Sequence, residues 1–189
     1  MRVGTTSRRR IALSAACLLV ILSGCGPRQL SRDEAAALLK QRPEMNKAQM
    51  HTFLLGDVMG VGRDGLAAER CGFIQITHPP RKYPHVTLTP KGENEGKLQG
   101  WTIYQHRMVI PVAKPEVTAV TGVATTEKSA TVKFNWHLGL TETGRALTAC
   151  GLNFASLGYF GFNQAEIHEA TALFQLYDDG WRVEGIQEQ

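Results

Sequence analysis

The chain has 189 residues, with 21 Lys and Arg against 17 Asp and Glu, 6 His, and a formal net charge of +4. Four of the basic residues, Arg2, Arg8, Arg9 and Arg10, lie in residues 1–24, which hold no acid, so the rest of the chain balances 17 against 17. That balance leaves no electrostatic footprint for nucleic acid or an anionic surface, and the remaining length suffices for one ordinary domain with its own core.

Behind the basic start, residues 11–22 are apolar except for Ser14. As a helix this run measures about 18 Å against a hydrocarbon core of about 30 Å, so it reads as the apolar part of a secretory signal and is too short to span. Leu22-Ser23-Gly24-Cys25 follows, an aliphatic residue, two small residues and a cysteine. This resembles the lipobox of bacterial lipoproteins. The resemblance implies cleavage before Cys25, a diacylglyceryl group on the Cys25 sulfur and acylation of the new amine, a set of chains that anchors stably. Ser7-Arg8-Arg9 hints at twin-arginine export, but the rest of that pattern is unmatched and the general secretory route is favoured. Gly26 stands where an aspartate would retain some lipoproteins at the inner membrane, so the resemblance favours the outer membrane, with the domain in the periplasm.

Cys17 leaves with the signal and Cys25 carries lipid, so Cys71 and Cys150 remain. In a compartment that permits disulfides they read as a bridge closing a loop of roughly 80 residues. Two buried free thiols are the alternative. No local feature activates either cysteine as a nucleophile.

Along the mature chain, residues 25–29 form a lipidated tether. Ser31 and Glu34 have capping-box spacing and open a helix that Arg42-Pro43 stops. Met50, Phe53 and Leu54 suggest a second helix over residues 47–55. Gly56, Gly60, Gly62 and Gly65 mark a loop, and Gly60-Val61-Gly62 lacks the Gly-Lys-Ser/Thr that would complete a phosphate loop. Residues 66–71 suggest a short helix, residues 73–76 and 86–89 two strands around a proline loop. Residues 30–95 thus resemble a winged-helix module. The recognition-helix candidate offers only Arg63 and Arg70 nearby, and an exported protein meets no DNA, so the shape is expected to serve packing, with no nucleic-acid partner.

Residues 96–189 read as β-rich. Residues 98–110 suggest strands broken near 105–107, and Pro111 and Pro115 bound an expected connector. Residues 117–125 and 129–138 then form two strands around Glu127-Lys128. In the second, Ala130, Val132, Phe134, Trp136 and Leu138 alternate with Thr131, Lys133, Asn135 and His137, one face buried and one wet. Residues 141–144 and 145–150 suggest a short helix or turn. The apolar stretch 151–163 reads as a core cover or an exposed contact patch, the cover being favoured. Asp179-Gly180 signals a type I′ hairpin pairing Asp178 with Trp181 and Leu176 with Val183. Residues 117–187, with Ala-Thr-Val-Lys-Phe-Asn-Trp and Leu-Tyr-Asp-Asp-Gly-Trp-Arg-Val-Glu, resemble a group of uncharacterised bacterial lipoproteins and periplasmic proteins with a β-rich C-terminal half. The ending is also similar to cystatin-like and NTF2-like sheets. The expected class is α+β: short N-terminal helices, then an antiparallel sheet ending in a hairpin, the two regions packed as one domain.

Chemistry-bearing patterns are sparse. The six histidines make no His-x-x-x-His pair, the cysteines have no zinc-ligand spacing, and no Gly-x-Ser-x-Gly elbow occurs. Glu166 and Glu169 suggest one helical face with His168 pointing away. His78 and His85, with Arg81 and Lys82, offer a weak anion or metal site across the proline loop. No catalytic residue, metal or cofactor is expected. The expectation is a non-catalytic, lipid-anchored envelope protein that contacts another envelope protein. The alternative is a small-ligand carrier with a pocket lined by Trp136, Trp181 and Phe174, and an envelope hydrolase comes third.

Overall fold

In the computed structural model, residues 28–153 and 166–188 are described. The lipobox with Cys25, and residues 154–163 of the apolar stretch, lie outside them. Helix α1 (Arg32–Lys40) begins where the capping pattern places it: Ser31 Oγ accepts the Glu34 N–H at 3.1 Å, with Asp33 and Glu34 in the first turn. Its Ala35 and Leu39 are fully buried. Helix α2 (Pro43–Asn46) starts on Pro43, a position where the missing N–H costs nothing.

Where a second helix was expected, the chain forms strand β1 (Gln49–Leu54). The apolar spacing of Met50, Phe53 and Leu54 fits a helix as well as a strand, and pairing with a distant strand decides between them. Strand β2 (Gly56–Asp57) follows, then α3 (Arg63–Arg70), β3 (Ile74–Thr77) and β4 (His85–Leu88). Strands β2, β4 and β3 make a small antiparallel sheet in that order. Helix α4 (Pro90–Gln99) had no counterpart in the sequence reading, although Thr89 caps it and Pro90 opens it. Gly92 allows this helix to sit on the chain before β3: a Cβ there would land on the Phe73 carbonyl.

Strand β5 (Thr102–Tyr104) and the 19-residue β6 (Arg107–Thr125) come next. The expected connector between Pro111 and Pro115 is strand. Pro111 lies between the ends of β5 at Val109 and β7 at Ala113, and Pro115 lies beyond the end of β1 at Gln49. Neither position asks a proline for a ladder N–H. Strand β7 (Ser129–Leu140), helix α5 (Glu142–Ala149), β8 (His168–Tyr177) and β9 (Gly180–Glu188) complete the chain. The large sheet is antiparallel, ordered β1-β6-β7-β8-β9 with β5 also on β6, and curls into a half-barrel. The α+β expectation holds.

The hairpin keeps its expected faces but not its register. Leu176 opposes Trp181 and Phe174 opposes Val183, so Asp178 and Asp179 are the loop residues. Among the described residues only Arg81 and Gln105 combine a side chain with positive φ, which excludes the type I′ turn. Gly180, at φ +135°, takes the unusual conformation one place later. Because the shift is two residues, Phe174, Leu176, Trp181 and Val183 still share a face.

Two cores result. Helix α1 lies in the curl against Val132, Phe134, Ala172, Phe174, Trp181 and Val183. A second core joins the small sheet, α3, Trp101 and Leu147 to the start of β6 through Met108, Ile110 and Val112. Strand β6 serves both. Bulges after Val117 and Val120 stretch its inward period from two residues to three, so Val117, Val120 and Val123 all pack on the α1 core.

Candidate cleft along the open edge of β1

Strand β1 ends the large sheet and has a neighbour only on its β6 side. The Leu55 N–H donates to the His106 carbonyl at 2.8 Å, and the register continues through Phe53–Met108 and His51–Ile110. By the alternation of an antiparallel ladder, these residues point their backbone groups at β6. Met50, Thr52 and Leu54 therefore point theirs the other way, where no described strand pairs with them.

Beyond that edge lies a cleft of about 460 Å³, lined by β1, Val58, the Gly60-Val61-Gly62 turn, the start of α3 and Arg107. Two ionisable groups meet in it. His51 Nε2 and Asp64 Oδ2 are 3.1 Å apart, both largely shielded, and the His51 ring stands edge-on to Phe53 at 4.6 Å. The hydrogen bond from His51 is the chief influence that holds the Asp64 carboxyl below its ordinary range, against the opposing pull of partial burial. The Gly65 N–H adds to it. Thr52 supplies the one hydroxyl side chain among the lining residues. As neighbours on one strand, His51 and Thr52 face opposite sides of the sheet, so they do not form a nucleophile–base pair.

Sequence gave no cue to the His51–Asp64 pair, because the two sit 13 residues apart on a strand and a helix start. The Gly60-Val61-Gly62 run it noted lines the cleft, while its candidate ligand residues fall elsewhere. Trp181 and Phe174 are 4% and 2% exposed, both under α1, and Trp181 Nε1 donates to the Arg28 carbonyl at 3.0 Å. Trp136 is half-buried and stacks on His168 at 4.5 Å. None of the three lines this cleft or a smaller one of about 300 Å³ between Lys40 and Val117. His168 begins β8, so Glu166 and Glu169 share no helix. His85 pairs with Asp57 at 2.7 Å across β2 and β4. Among the described residues no group of three potential metal ligands occurs.

Cys71, capping α3, and Cys150, capping α5, stand at disulfide distance with Cα atoms 5.5 Å apart. Arg70, one of two arginines near the supposed recognition helix, donates to the Cys150 carbonyl at 2.7 Å. No family model, curated protein or solved structure matches the chain.

Proposed function

We propose that the chain is a lipid-anchored protein of the bacterial envelope, held at Cys25, whose periplasmic domain binds an envelope protein through the open edge of β1 without catalysis. The observation that carries this reading is the row of outward backbone groups at Met50, Thr52 and Leu54 facing a cleft. An extended segment of a partner satisfies such groups by adding a strand. The pairing of Cys71 with Cys150 accords with an oxidising compartment. By the lipobox resemblance the anchor sits in the outer membrane. The winged-helix likeness of residues 30–95 is taken as a matter of packing, with no nucleic acid as partner.

A photo-crosslinking residue at Leu54, in cells with Cys25 intact, is expected to trap a discrete envelope protein, and the same probe at Lys133 on the distant strand is not. Equal trapping at both positions, or none at Leu54, overturns the interaction role. Palmitate labelling tests the anchor: a Cys25→Ala variant that still takes the label refutes it.

The cleft volume also suits a small molecule, which supports the carrier reading as second. A carrier retains its ligand through purification, visible as an added mass in native mass spectrometry. The cleft holds a histidine–carboxylate pair without a partnered nucleophile, so a hydrolase ranks third.

A further inference from the structure

The tether is short, and Arg28 within it is fixed to one end of the fold. The Arg28 carbonyl accepts the Trp181 indole N–H, and the Arg28 side chain pairs with Glu34 at 2.9 Å. Leu30 is already 4% exposed. From Cys25 to Arg28 the chain reaches at most about 11 Å. Arg28 also borders Gly180, at the Asp178–Asp179 turn between β8 and β9. The turn between β6 and β7 lies beside it, since the Leu176 N–H donates to the Lys128 carbonyl at 2.8 Å.

We infer that the end of the half-barrel formed by these two turns rests on the headgroup surface of the anchoring bilayer, and that the cleft along β1 is carried at the far end. This rests on the lipid anchor at Cys25. Strand β6 sets the separation: it begins at Arg107, beside β1 and the cleft, and ends at Thr125, beside the proximal turns. Nineteen residues of strand have a contour of about 60 Å. The proximal turns carry Glu127, Lys128, Asp178 and Asp179, with Asp179 paired to Arg182, while Trp181 and Leu30 are buried inside. Such a surface meets hydrated headgroups without inserting. At the other end Met59 is 90% exposed, and the outward backbone groups of β1 point sideways from the strand axis, clear of the proximal turns.

The test uses the full lipidated protein in phosphatidylcholine–phosphatidylglycerol vesicles that carry a nitroxide on the headgroup. A fluorophore is placed on a single added thiol, Asp179→Cys or Glu127→Cys at the proximal end and Met59→Cys at the distal end, all exposed positions. Quenching several-fold stronger at both proximal labels than at Met59 is expected. Equal quenching at all three, or stronger quenching at Met59, in protein that floats with the vesicles overturns the orientation and leaves the anchor standing. Protein that neither floats nor takes palmitate at Cys25 overturns the anchor, and the orientation with it.

Discussion

At the residue scale, the His51–Asp64 contact has a signed pH dependence. The Asp64 carboxyl is held below its ordinary value by the His51 hydrogen bond, so its contribution to stability is fully present above the unfolded carboxylate pKa of about 4 and disappears as pH falls through the lower folded value. Asp64→Asn is expected to cost about 1 kcal/mol at pH 6, the discounted worth of a partly exposed pair, and less at about pH 3. Urea unfolding of both proteins at the two pH values measures this, and an equal cost at both would refute it. Gly92 answers to geometry alone. Gly92→Ala drives a methyl into the Phe73 carbonyl, a backbone group that cannot swing aside, and is expected to lose about 1–3 kcal/mol by calorimetry despite the better helix propensity of alanine.

At the scale of single elements, β1 permits a substitution that separates pairing from packing. The Thr52 N–H faces the open edge, so Thr52→Pro removes no bond to β6 and blocks an incoming strand. Crosslinking from Leu54 should vanish while the melting temperature moves by only a few degrees. If the adduct persists, the partner does not pair with β1. Element by element, legibility followed the locality of the signal. Helix α1 and strands β7, β8 and β9 announced themselves through a cap three residues away or an alternation along one strand. Helix α4 hid because Gly92 and Gly96 weaken its propensity, and both are buried for contacts with Phe73 and Trp101 that only the fold reveals. Strand β1 hid because three apolar residues fit two periods. The cleft could not be read at all: it exists only once β1 becomes an edge and α3 brings Asp64 to it.

At the scale of the whole molecule, the contact between Cys71 and Cys150 ties α3 to α5 across 79 residues of chain. As a bond it constrains the unfolded chain, and Cys71→Ser with Cys150→Ser is expected to cost about 2–4 kcal/mol. Guanidinium titration with and without a reductant gives the same comparison; indifference to both treatments would mean that the thiols are free. Strand β6 makes the two cores one cooperative unit, because its first half belongs to one and its second half to the other. The Trp181–Arg28 hydrogen bond joins positions 153 residues apart, close to the two extremes of the described chain. That closure has a consequence in time. A chain made from its N-terminus delivers α1 long before the strands that enclose it, so Leu39 waits for Phe174 and Trp181 to arrive. Assembly of the α1 core therefore waits for the last strands of the chain. Until then the apolar face of α1 stays uncovered, and loss of β9 alone would leave that core without Trp181 and Val183.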